Sequence, residues 1–143
     1  MVTGDTTAYA HWTANEYQVT YDANGGSGAD VNDTVTFDSS YRFKSADTFT
    51  RTGYTFTGWN TAPDGSGTAY AARQQLTWNR TSDLTVYAQW EANEYTIVFD
   101  ANAENTADGE HATKSTSGTM DAVKAVYDTA TTLPANAFVK TTY

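Results

Sequence analysis

The 143-residue chain has no cysteine and only two prolines, Pro63 and Pro134. Without cysteine there is no disulfide framework, no thiol nucleophile and no thiolate metal site. Secretion stays open, because a chain with a core of its own needs no disulfides. Leucine is scarce, with three residues against 27 threonines, ten tyrosines, six phenylalanines and four tryptophans. That balance disfavours a helical bundle and suits pleated, half-buried surfaces. Basic residues are few, eight against seventeen acidic ones, for a net charge of −9. Binding a nucleic-acid backbone or an anionic membrane face needs clustered Lys and Arg, so neither partner is expected. No apolar run approaches the roughly 18 residues of a membrane span, so no membrane insertion is expected. No charged start followed by an apolar stretch marks a signal peptide, and Met1 is read as the start of a fragment of something longer. With 39% hydrophobic residues the chain can build a core.

What is present is an internal repeat. YAHWTANEYQVTYDAN at 9–24 returns as YAQWEANEYTIVFDAN at 87–102, identical at ten of sixteen positions. SGADVNDTVTF at 27–37 then aligns with SGTMDAVKAVY at 117–127, and ADTFTRTGY at 46–54 with ANAFVKTTY at 135–143. The second copy carries twelve extra residues in the loop after Asn102. Residues 13–90 form one complete unit. Residues 1–12 end in TAYAHW and read as the closing strand of a preceding unit. Residues 91–143 open a further unit that lacks counterparts of 55–90. Such an arrangement is a window on a tandem array.

Within the complete unit the period is two, which predicts strands. Tyr17, Val19 and Tyr21 alternate with Gln18 and Thr20. DANGGSG supplies a tight turn with positive φ. Val35 and Phe37 mark a second strand. Tyr41, Phe43 and Phe49 anchor a helical turn or a loop. TGYTFTGWNT is a strand with Tyr54, Phe56 and Gly58 on one face and Trp59 on the other. APDGSG is a turn. Leu84, Val86, Ala88 and Trp90 share a face of the last strand. The short stretch from Glu91 to Glu94 is too brief to act as a free hinge, so neighbouring units are expected to be coupled end to end.

The string GYTFTGWNTAPDGSGTAY, followed by LTVYAQW and preceded by YQVTYDANGG, resembles the Listeria–Bacteroides repeat, the family that includes the internalin B-repeat. The resemblance covers 13–90 fully and 91–143 in part. It implies a mainly β (α+β) fold, a small β-grasp-like module whose antiparallel or mixed sheet carries at most one short helix. It also implies tandem repetition in cell-wall-anchored bacterial surface proteins, with stalk, spacer and adhesion roles and no catalytic residues to transfer. The second copy departs from the pattern, with Ala103 and Glu104 in place of Gly25 and Gly26, so its first hairpin is expected to differ in shape.

The residues offer little chemistry. His11 and His111 stand in no metal-binding spacing. Asp22, Asn24 and Asp30 alternate with glycines as in a calcium loop, but no bidentate Glu follows, and a hairpin turn is the better reading. Asp64 in APDGSG reads the same way, so no metal and no cofactor are expected. No GxSxG or histidine-activated nucleophile occurs, and the acidic residues sit mostly in turns and at strand ends. Lys44, Lys114, Lys124 and Lys140 lie in no apolar strand, so an isopeptide crosslink is not called for. Exposed aromatics could stack on sugars. Trp78 and Trp59, with Tyr70 and Tyr87, are the ring candidates, and Trp12 is a further one. The plainer reading puts Trp59 and Trp90 in the core and at the seam between units, while Trp78, flanked by polar residues, is expected at the surface.

The sequence therefore predicts a non-enzymatic tandem-repeat module of an extracellular bacterial surface protein, anchored through other parts of its parent. Its expected partners are neighbouring repeats and a host or cell-surface protein or glycan. A carbohydrate-binding module, or an accessory domain of a secreted enzyme, is the alternative.

Overall fold

The computed structural model describes residues 3–101 and 116–140. Expectations attached to His111, Lys114, Ala103, Glu104, Tyr143 and the inserted loop lie outside the described residues. The chain divides into two compact units, Met1–Thr52 with Phe56–Glu91, and Gly53–Thr55 with Ala92–Tyr143.

In the first unit the alternation of EYQVTYD becomes β1 (Glu16–Asp22), with Val19 and Tyr21 fully buried. It pairs antiparallel with β2 (Val31–Thr36), placing Tyr17 opposite Val35 and Tyr21 opposite Val31. On its other edge β1 runs parallel to β7 (Leu84–Ala92), with Val19 opposite Leu84 and Tyr21 opposite Val86. β4 (Tyr54–Asn60) and β5 (Ala69–Tyr70) complete a mixed five-stranded sheet of order β2-β1-β7-β4-β5. Parallel neighbours need a long crossover. Here it is made of strands and turns, and among the described residues no helix occurs. Leu84, Val86 and Ala88 face inward, as their shared parity predicts.

The region expected to hold a helical turn or a loop opens with a strand, β3 (Ser40–Arg42), paired with β6 (Gln75–Thr77) so that Tyr41 lies opposite Leu76, and continues as a loop through Phe43 and Phe49. Its backbone groups find partners across the chain rather than along it, as in the Phe43 amide donating to Gln74 O at 2.9 Å. Tyr41, Phe43 and Phe49 are buried with Trp59, Tyr70 and Trp78. Each such side chain contributes about 1.5–3 kcal/mol by leaving water.

Two registers differ from expectation. Phe56 and Trp59, predicted on opposite faces of β4, touch edge to face with centroids 4.9 Å apart. Strict alternation ends at Gly58, whose φ of +152° is outside the range L side chains favour. A Cβ at Gly58 would come within 3.1 Å of Tyr70 O. Trp59 is thereby turned into the core, while Phe56 is half-buried at its border. Phe37 falls one residue past the end of β2, with its ring 38% exposed. The predicted closing strand TAYAHW forms no strand here, and Tyr9 and Trp12 are 80% and 92% exposed. A strand needs a neighbour to take its amides and carbonyls, and these residues have none among the described residues.

The second unit repeats the first hairpin. β8 (Glu94–Ile97) pairs antiparallel with β10 (Val123–Val126), with Glu94 opposite Val126 and Ile97 opposite Val123. This is the register of Glu16 with Thr36 and Val19 with Asp33. The following turns match as well, with Asp38 at φ 63° and Asp128 at φ 58°. β9 (Thr116–Ser117) pairs with β11 (Val139–Lys140), and its Ser117–Val139 pair is the counterpart of the Ser27–Thr50 bridge. The described strands of the second hairpin therefore share the register of the first over four pairs, and the turn expected to differ lies outside the described residues.

Candidate functional site

Three of the five rings proposed for sugar contact are inside the protein. Trp78 is fully buried, Trp59 is 1% exposed and Tyr70 8%, while Tyr87 is half-exposed and Trp12 is exposed. The polar flanks of Trp78 misled the sequence reading. Its backbone is held by a reciprocal pair, Trp78 N to Ser39 O and Asp38 N to Trp78 O, both 2.8 Å, while its ring meets Tyr41 edge-on at 5.5 Å. Tyr70 stacks on Phe43 at 4.3 Å, and its hydroxyl accepts a bond from Arg80 Nη2 at 2.8 Å. Trp59 Nε1 donates to Lys44 O at 3.1 Å. These rings are spent on packing and offer no open face to a sugar.

A chain of four polar side chains runs from this interior to its border. Lys44 Nζ lies 2.7 Å from Asp33 Oδ1, Tyr41 donates to Asp33 Oδ2 at 3.1 Å, and the Tyr41 and Tyr21 hydroxyls are 2.5 Å apart. Burial pushes the Tyr41 hydroxyl far up, helped by the Tyr21 bond and by the Asp33 charge. Burial raises Tyr21 as well, and the Tyr41 bond opposes that only in part. Both phenols therefore stay protonated and serve as hydrogen-bond links. The network joins β1, β2 and β3 across the core.

The loops considered for calcium are occupied by their own turns. Asp22 Oδ1 accepts the Asn24 amide at 2.7 Å, and Asn24 Nδ2 donates to Pro63 O and Ala88 O, both at 2.8 Å. Asp64 Oδ1 accepts from the Ser66 hydroxyl and amide, and the hydroxyl bond chiefly lowers its carboxyl below the usual range. Asp30 is exposed. Among the described residues no three His, Cys, Asp or Glu side chains gather as a metal site. Lys124 makes an exposed 3.7 Å contact with Glu94.

Sequence reasoning missed Asn60, which is 3% exposed. Its Oδ1 accepts the Ala62 and Gly67 amides at 2.9 and 3.0 Å, and its Nδ2 donates to Gly65 O at 3.0 Å. It holds the APDGSG loop from within. The only available signal was its place directly before a Gly- and Pro-rich turn, where Asn side chains tend to bond to nearby backbone.

One open surface feature of the first unit is a recess of about 250 Å³ lined by Thr13, Ala14, Asn15, Tyr17, Phe37 and Thr81. It lies at the entry to β1, where the Phe37 amide donates to Asn15 O at 2.8 Å. In the second unit the counterpart groups are engaged. Tyr127 N donates to Asn93 O at 2.9 Å, Asn93 N donates to Gly53 O at 2.9 Å, and Thr55 Oγ1 bonds Asn93 Oδ1 at 2.6 Å. Tyr54 meets the Tyr127 ring edge-on at 5.6 Å.

A family model described as the Listeria-Bacteroides repeat domain matches residues 17–89, and the chain belongs to that family. Two curated relatives come from Evansella cellulosilytica. One, named "Putative Gly-rich membrane protein", is 40% identical over 104 residues, 71% of this chain and 12% of the relative. The other, named "Putative membrane protein", is 40% identical over 96 residues, 65% of this chain and 14% of the relative. The matched part thus spans about an eighth of each relative. No solved structure matches.

Proposed function

We propose that this member of the family is a non-catalytic spacer and adhesion module of a bacterial surface protein, extracellular and held at the cell wall through other parts of its parent. The observation that carries this reading is the repeat itself. The hairpin of the first unit recurs with unchanged register in the second, and one residue, Asn93, separates β7 from β8. A chain that closes one repeat and opens the next within a single residue suits extension by repetition. The parallel pairing of β1 with β7 supports describing the module as β-grasp-like. The relatives' names, which place them in membranes, favour an envelope location. Among the described residues no helix is long and apolar enough to cross a membrane.

The interior favours a mechanical role over a chemical one. Its tyrosines are locked as protonated links, and its tryptophans are packed edge to face. Pulling a protein of several such repeats in a force spectrometer should give evenly spaced unfolding peaks. A 78-residue repeat releases roughly 260–280 Å of chain at full extension. A smooth extension without peaks would sink the spacer reading. For adhesion, coated beads should be retained on host cells or on cells of the same kind, and retention no greater than that of bare beads would remove that part.

A further inference from the structure

We propose that the recess around Asn15 and Phe37 is a socket for the Gly-Tyr-Thr segment that opens β4 in a preceding repeat, so that a repeat is received there by three backbone and side-chain groups. This deepens the spacer reading and rests on it. The second unit supplies the occupied form of the socket. ANEY recurs at 14–17 and 92–95, and Phe37 and Tyr127 hold the same place after the second strand of each hairpin.

In the second unit that place is filled by Gly53–Thr55, which pack with Ala92–Tyr143. Three groups recognise them. The Asn93 amide takes Gly53 O, the Asn93 side-chain oxygen takes the Thr55 hydroxyl, and the Tyr127 ring lies against Tyr54. Glycine is required at the first position, because a Cβ on Gly53, which has φ +78°, would run into the Tyr127 ring.

In the first unit the same three groups stand ready. Among the described residues the Asn15 amide has no acceptor, Asn15 is exposed where Asn93 is half-buried, and the Phe37 ring faces the recess. The occupant is thus a copy of this same sequence, recognised by glycine, an aromatic edge and a hydroxyl.

The test extends the full chain. Residues 1–12 are replaced by a further copy of residues 13–90, and amide hydrogen exchange is read at Asn15 and Asn93 in both chains. The Asn93 amide should be protected in both and serves as the internal reference. The Asn15 amide should become at least tenfold slower only in the extended chain, and Thr55→Val in the added copy should reverse much of that gain. Equal Asn15 exchange in the two chains, with Asn93 still protected, would overturn the socket. If evenly spaced force peaks persisted in that case, the spacer reading would stand without it. Line shifts at Tyr17 and Phe37 on adding an oligosaccharide to the extended chain would show the recess still open, and would overturn the proposal in favour of a sugar.

Discussion

Trp90 roofs Gly26: its Nε1 donates to Ala23 O at 2.9 Å, and a Cβ on residue 26 would fall 2.7 Å from its Cζ2. The last strand of the repeat is thereby latched onto the first turn, and the turn must carry glycine. The same Cβ would lie 3.0 Å from Ala23 O and from Thr50 O, so moving the indole alone does not relieve the contact. Gly26→Ala should therefore destabilise by about 2 kcal/mol, an overpacking cost. Urea melts monitored at the tryptophans measure it, and a loss under about 0.5 kcal/mol would mean that the latch yields freely.

Asn60 should behave as a polar keystone. Asn60→Ala strands the Ala62 and Gly67 amides and should cost about 3 kcal/mol. Asn60→Asp keeps the shape but turns an oxygen toward Gly65 O, so it should cost at least as much at neutral pH. Burial against that carbonyl raises the carboxyl above its ordinary range, so part of the loss should return as pH falls from neutral, with the recovery complete by about pH 4, where the unfolded chain protonates too. If the two variants differ by more than about 1.5 kcal/mol in favour of Asp, the bonds drawn to Nδ2 contribute little.

The tyrosine pair sets an alkaline limit. Tyr21 and Tyr41 titrate above their ordinary range when folded, whereas in the unfolded chain they ionise near about pH 10. Above that pH the unfolded chain binds fewer protons than the folded one, so stability falls as pH rises. Their contribution is complete below about pH 10 and lost progressively above it. Melting temperatures from pH 7 to 11 should fall steeply only past that point, and Tyr41→Phe should flatten the fall.

Phe56 stands at the border of the core, against Trp59 at 4.9 Å and Trp90 at 5.7 Å. Phe56→Ala should cost about 2 kcal/mol, less than the roughly 3–5 kcal/mol of a fully buried phenylalanine. It should also loosen Trp90 and quicken exchange near Gly26. A loss above about 4 kcal/mol would place Phe56 deeper than its half-burial indicates.

Much of this was legible in one dimension. Period two predicted β1 and β7, because inward residues of a strand must alternate. The repeat aligned ANEY at 14–17 with ANEY at 92–95, and the two hairpins that follow share a register. The resemblance to the family rested on strings that the family model covers. The turns were visible in their glycines and Asx residues.

The rest depended on contacts far apart in sequence. Trp78 sits between polar neighbours, and only the closing of β3 against β6 makes its site an interior one. Trp59 changes face because of a backbone angle at Gly58, which composition does not encode. Asn60 is a buried keystone because a loop folds back over it, and Lys44, Asp33, Tyr41 and Tyr21 form one network only after three strands converge. Local pattern determined which segments are strands and where they turn, since those depend on residues one to four apart. Which ring is buried, which polar group is satisfied and which recess stays open were decided by tertiary packing, because burial is a property of the neighbours that the fold brings in.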